Sequence, residues 1–163
     1  MKWNDYMYNK KFMELAVQEA ASNLKTRDGG PFGSVIVKDG QVIASGHNRV
    51  LVDDDPTAHG EITTIRKACQ ALHTYDLSGC ELYTNAYPCP MCLGAIIWAN
   101  IKTVYYGNTP KDAAAIGFRD DFIYKFIKDG MKDPQILDLT QHDRDITIKN
   151  FEAFAADQDK TIY

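Results

Sequence analysis

Long apolar runs are missing from this sequence. No stretch approaches the roughly 18 residues that span a membrane as a helix, and the first residues carry no signal-peptide core. The chain is therefore expected in the cytoplasm, with no membrane partner. Cysteine is scarce as well, with four residues at positions 69, 80, 89 and 92 among 163. That is no disulfide framework when two of the four already sit at metal-ligand spacing. A second Cys-x-x-Cys is absent, which argues against a structural zinc site closed by four protein ligands. Gly29-Gly30 is not followed by a Walker lysine at the required spacing, so a phosphate loop is excluded. Positive charge is not in excess either: 18 basic against 22 acidic residues leave a formal charge of −4. Residues 119–163 carry seven basic and ten acidic side chains, so the end of the chain is no basic arm. Both counts argue against nucleic acid as a partner.

What remains is ordinary globular composition, 45% hydrophobic and 25% charged, at a length that suits one domain over residues 1–163. A chain of this size buries roughly 70% of its extended surface on folding. Cys69 and Cys80 read as small buried hydrophobes in a reducing compartment.

Chemistry concentrates in two stretches, Thr57-Ala58-His59-Gly60-Glu61 and Pro88-Cys89-Pro90-Met91-Cys92. His59, Cys89 and Cys92 are the borderline and soft ligands that zinc prefers, and three protein ligands leave a fourth position for water. Pro88 and Pro90 suit the start of a helix, where a missing amide costs nothing. Both sulfurs would then lie at its N-terminus, where unpaired amides favour thiolate. Glu61 is placed to take a proton from the metal-activated water and return it to a leaving group. A redox Cys-x-x-Cys and a purely structural zinc site are the alternatives.

Coarse periodicity places these stretches. Residues 7–24 read as a packing helix with Phe12, Leu15, Ala16, Ala20 and Leu24 inward. Phe32 to Lys38 and Gln41 to Gly46 form a hairpin about Asp39-Gly40. A helix from about Ala58 to Leu72, a strand from Cys80 to Thr84, a helix from Met91 to Trp98 and a strand from Ile101 to Tyr106 follow. The helix between the last two strands implies a parallel crossover. Residues 119–128 and 148–156 read as helices, and Ile136 to Leu139 as a short strand. The expected architecture is a three-layer α/β/α sandwich with a mixed central sheet, followed by a C-terminal helical extension over residues 119–163. Asn48 follows the second strand, where it either caps a turn or offers its carboxamide to the edge of a planar heterocycle. Phe32 is a core aromatic or a pocket wall.

The order His-x-Glu, then Pro-Cys-x-x-Cys, is the signature of zinc nucleobase deaminases. Over residues 10–118 the chain resembles the cytidine/nucleobase deaminase superfamily. The segment Asn108 to Tyr124 and the ending Asp159-Lys160-Thr161-Ile162-Tyr163 look like those of the bacterial guanine deaminases. The resemblance implies one Zn2+ per subunit held by His59, Cys89 and Cys92, with Glu61 carrying protons. It implies that Asn48 reads a purine edge, Phe32 stacks on the ring, Trp98 lines or supports the pocket and Asp120 assists at the exocyclic amine. It further implies a homodimer whose C-terminal segments are exchanged, so that Tyr163 enters the partner's site. The implied reaction is hydrolysis of guanine to xanthine and ammonia. Another aminated base, nucleoside or triazine-like ring, tRNA adenosine, or a silent zinc-stabilised scaffold are the alternatives. Two residues depart from the pattern: Gly60 stands where alanine or valine is usual, and Tyr87 where glutamate precedes the Pro-Cys pair.

Overall fold

The computed structural model describes residues 7–163, so the first six residues of the expected domain lie outside the described residues. The chain forms two compact units, one ending at Ile123 and one comprising Tyr124–Tyr163. In the first unit the elements run α1 (Lys10–Thr26), β1 (Gly33–Lys38), β2 (Gln41–His47), α2 (Gly60–Leu72), β3 (Cys80–Ala86), α3 (Pro90–Trp98), β4 (Thr103–Asn108) and α4 (Pro110–Ala115). A fifth helix, α5 (Asp121–Lys128), carries the chain into the second unit, which ends with α6 (Arg144–Ala156).

The strands form one mixed sheet in the order β2-β1-β3-β4. β1 is antiparallel to both β2 and β3, while β3 and β4 are parallel across the α3 crossover. Asp39 and Gly40 both take positive φ, +51° and +74°, the mirror-image turn that matches the twist of two hairpin strands. Successive β1 residues serve opposite layers, because side chains alternate across a sheet. Val35 and Val37 pack with Phe12 and Ala16 of α1 and with Tyr83. Ile36 packs with Ala68 of α2, Leu82, and Ile96 of α3. Each face is covered, which gives the expected α/β/α sandwich with a helical C-terminal segment.

Several local expectations change. The buried stripe of α1 is Phe12, Ala16, Ala20 and Asn23, whereas Leu24 is 74% exposed. A polar residue replaces an apolar one there because the Asn23 carboxamide satisfies two loop carbonyls. The most buried face of α2 is small and polar (Glu61, Thr63, Thr64 and Ala68), with Ile65, Cys69 and Leu72 only partly buried. Thr64 belongs inside because its hydroxyl pairs with Ser34 Oγ at 2.7 Å and donates to Gly60 O at 2.8 Å. Ile136 to Leu139 is not a strand but lies in a turn region, where Asp133 O accepts from Ile136 and Leu137. Helix α4 was not anticipated, although Thr109 and Asp112 form a reciprocal capping box with Pro110 in the first turn. No helix among the described residues is long and apolar enough to cross a membrane.

Candidate metal centre and active site

The two chemical stretches meet at the starts of α2 and α3. His59 is the N-cap of α2 and Cys89 the N-cap of α3, and neither makes a side-chain capping bond. Their side chains are thus left to serve as ligands, while the amides of two helix N-termini face the same place. Pro90 opens α3, and one turn brings the buried Cys92 round beside Cys89. β3 delivers this loop from its C-terminal end, beside the parallel partner β4, through Tyr87 N–H donating to Asn108 O at 2.8 Å.

His59 Nδ1 lies 3.5 Å from Cys89 Sγ and 3.7 Å from Cys92 Sγ. All three ligand atoms fall within 4.8 Å of one another. Tetrahedral bonds of zinc to one nitrogen and two sulfurs require N···S separations of about 3.5 Å. The donor set therefore fits zinc both in chemistry and in spacing. The hydrogen bond from Cys92 and the neighbouring His59 pull the Cys89 thiol down to about 4, while the same hydrogen bond and burial push Cys92 up. His59 is raised, chiefly by its hydrogen bond to Cys89. Cys89 is thereby held as the thiolate that a metal binds, whereas Cys92 and His59 lose their protons as the metal enters.

Glu61, two residues past His59 in the first turn of α2, is 6% exposed. Its Oε1 accepts from the Thr84 hydroxyl at 3.1 Å, and its Oε2 lies 3.4 Å from Cys92 Sγ. Burial pushes its carboxyl up, and hydrogen bonds from its own backbone amide, from Cys92 and from Thr84 offset this only in part. A carboxylate held dry beside a metal site takes up a proton more readily than one in water, the property a proton carrier needs. Thr84 escaped sequence reasoning, although strand alternation puts it on the Leu82 side of the sheet, the side α2 covers.

Asp120 reaches the same site. Its carboxyl is raised by burial first and by the charge of Cys89 second, with His59 lowering it. Asp120 O also accepts from Ile123 N–H at 3.0 Å, so the residue starts α5 as well. Asn48 is buried beside the His59 loop: its N–H donates to Phe32 O at 2.9 Å, and Arg49 N–H donates to Ala58 O at 2.8 Å. Phe32 meets Phe118 edge to face, ring centres 5.0 Å apart. A Cβ at Gly60 would stand 3.2 Å from Phe32 O, just before β1, a tight contact that a shift of a few tenths of an ångström would relieve. Tyr87 stands edge to face with Tyr106 at 4.9 Å. Trp98 is not brought to the ligands within this unit. It is the last residue of α3, 72% exposed, and six residues past Cys92 correspond to about 9 Å along the helix axis. Tyr163 ends the second unit and is 82% exposed.

Residues 7–108 match the family described as the cytidine and deoxycytidylate deaminase zinc-binding region. Guanine deaminase of Bacillus subtilis is 49% identical over 140 residues, 83% of this chain and 90% of that protein. Its crystal structure superposes with a TM-score of 0.89 at 44% identity, covering 96% of this chain and 99% of that one. A tRNA-specific adenosine deaminase of Agrobacterium fabrum is also 49% identical, but over 104 residues, 63% of this chain and 68% of that protein. Since the family match spans more than half of the chain, and a relative is matched over nearly its whole length, the chain belongs to the cytidine and deoxycytidylate deaminase zinc-binding family, on its guanine deaminase side.

Proposed function

We propose that this enzyme hydrolyses guanine to xanthine and ammonia. The observation that carries the reading is the extent of the likeness. It reaches 96% of the chain against the Bacillus subtilis guanine deaminase structure, tail included, and 63% against the Agrobacterium fabrum tRNA adenosine deaminase.

His59, Cys89 and Cys92 would hold one Zn2+ per subunit, which when bound lowers the pKa of its water from 15.7 to about 7 and so supplies a nucleophile at neutral pH. Glu61 accepts the proton released as water adds to the ring carbon bearing the amine, and delivers it to the adjacent ring nitrogen. The carbon becomes tetrahedral. A second proton, carried from the added hydroxyl through Glu61 to the amine, lets ammonia leave as the new carbonyl forms. Water is consumed, ammonia and a carbonyl are produced, and no redox partner is needed. Asn48 meets the edge of the base, Phe32 forms one wall, and Asp120 stands at the exocyclic amine.

Trp98 and Tyr163 complete the site in a homodimer that exchanges residues 119–163. Phe151 and Phe154, 76% and 49% exposed in the single chain, support a second copy as the cover for this segment. Four free cysteines agree with a reducing cytoplasm. The formal charge of −4 supports a free base rather than a nucleic acid as substrate.

Ammonia release by zinc-loaded protein tests the reading, against guanine, guanosine, adenine, cytosine, cytidine and an adenosine-containing tRNA anticodon stem in parallel. Guanine-selective turnover is expected. Turnover of the anticodon stem alone would replace guanine by tRNA adenosine, and zinc-loaded protein silent on the whole panel would leave a zinc-stabilised scaffold.

A further inference from the structure

We propose that Gly29 and Asn23 are positioning residues that fix the Asn48 carboxamide in one orientation, as a hydrogen-bond donor to an acceptor on the edge of the bound base. This rests on the reading of Asn48 as the residue that meets the base.

A carboxamide has two faces of similar shape and opposite polarity, and a half-turn about its last bond exchanges them. Here the exchange is blocked by chemistry. Val50 N–H points at the group from 3.1 Å, and an N–H is satisfied only by the oxygen, so Oδ1 lies on that side. The other end, Nδ2, has no hydrogen-bond partner among the described residues and carries the two free donors of a residue only 5% exposed.

Gly29 blocks displacement as well as rotation. A Cβ at this position would stand 2.0 Å from Asn48 Oδ1, 2.9 Å from Cγ and 2.8 Å from the Asn48 carbonyl oxygen. Only a residue without a side chain allows this approach, so the Gly29 backbone forms a wall behind the Asn48 carboxamide. Asn23 sets the distance between the wall and the amide. It is 4% exposed on α1, and its Nδ2 donates at 2.8 Å to Asn48 O and at 2.8 Å to Gly30 O. One side chain thereby ties the residue after the wall to the residue that bears the amide. His47 holds the preceding position, Nδ1 against Glu19 Oε2 at 2.8 Å and Nε2 against Asp28 Oδ2 at 2.9 Å.

A fixed donor discriminates better than a rotatable one. A base with a ring nitrogen or carbonyl at this edge gains hydrogen bonds at no reorganisation cost. A base presenting an amino group there leaves buried donors unpaired, and a carboxamide that cannot turn offers it no second mode. The network therefore contributes to substrate choice through ground-state orientation, which appears in KM rather than in kcat.

A double-mutant cycle tests this with Gly29→Ala, Asn23→Asp and Asn48→Ala on zinc-loaded full chain. Asn23→Asp keeps the shape and removes both donors, so it serves if Gly29→Ala fails to fold. Each single change is expected to raise KM for guanine on the order of tenfold with kcat within about threefold, and to add nothing in the N48A background. The Val50 amide proton, followed by NMR, is expected to shift and to exchange faster in Gly29→Ala and Asn23→Asp, since its acceptor has moved. Equal KM penalties with and without Asn48, or an unchanged Val50 amide, would overturn the proposal. Wild-type protein that turns over no guanine would instead overturn the substrate, and the Val50 amide would still decide the positioning.

Discussion

The Thr84 hydroxyl donates to Glu61 Oε1 across 3.1 Å, both residues being almost wholly withdrawn from solvent. One comes from the middle of the sheet and the other from the first turn of the helix above it. A carboxylate that must take and return a proton needs a fixed oxygen, and a rigid strand fixes it better than a loop does. Replacing Thr84 by Val keeps the shape and removes the bond. The expected result is a fall in kcat of roughly ten- to a hundredfold with zinc content unchanged, since a hydrogen bond to a charged group is worth about 1.5–3 kcal/mol. Steady-state kinetics beside metal analysis checks it.

Glu61→Gln separates proton transfer from metal binding. Gln is nearly isosteric but cannot carry a proton. Loss of about 10²–10⁴-fold in kcat is expected with zinc content unchanged. Full activity in that variant would remove Glu61 from the mechanism.

Metal removal acts on folding as well as on turnover. Anything bound to the native state alone stabilises it, and His59, Cys89 and Cys92 reach ligand spacing only when α2 and α3 are in place. Chelation is therefore expected to lower Tm and abolish ammonia release together, and added zinc to restore both. Cys92→Ser is expected to mimic the chelated state, read by calorimetry with and without zinc.

Acid is expected to weaken the fold through Glu19. Burial raises its pKa, but hydrogen bonds from Ser45 and His47, with the charges of His47 and Lys67, outweigh this and hold it below the usual value. A carboxyl depressed in the folded state adds stability above its unfolded pKa of about 4.3, and loses it as pH falls through the folded value. Thermal unfolding between pH 6 and pH 3 should therefore fall more steeply in wild type than in Glu19→Gln.

Tyr163 is the sharpest probe of the proposed exchange of residues 119–163. Deleting this last residue is expected to raise KM for guanine about tenfold while leaving zinc content and sedimentation unchanged. An unaltered KM would take Tyr163 out of the site.

The sequence by itself determined the His59, Cys89 and Cys92 cluster, the carboxylate of Glu61 beside it and the layer order. These follow from short-range rules: ligand spacing, proline at a helix start, alternation in strands and 3.6-residue periodicity in helices all act within a few residues. Asp39-Gly40 at the hairpin belongs with them, and so does the Thr109–Asp112 capping box of α4, which was legible and overlooked. Ile136 to Leu139 shows the limit, because an apolar run becomes a strand only when a neighbouring strand takes its hydrogen bonds, and local pattern does not supply the neighbour.

Tertiary structure alone decided the supporting network. Thr84 lies 23 residues from Glu61 along the chain, Asn23 25 residues from Asn48, and Glu19 28 residues from His47. In isolation Thr84 is a strand residue, Asn23 a poor helix former and Gly29 a loop breaker. Thr84 and Asn23 acquire their roles from polar groups brought to within about 3 Å by folding, and Gly29 from the Asn48 side chain that fills the space a Cβ would take. Hydrogen bonds are short and directional while chain separation is neither, so partners this far apart leave no periodicity to read. Leu24 and Asn23 make the point on adjacent positions. Hydrophobicity assigns the core to leucine, and the fold gives it to asparagine because two loop carbonyls need donors.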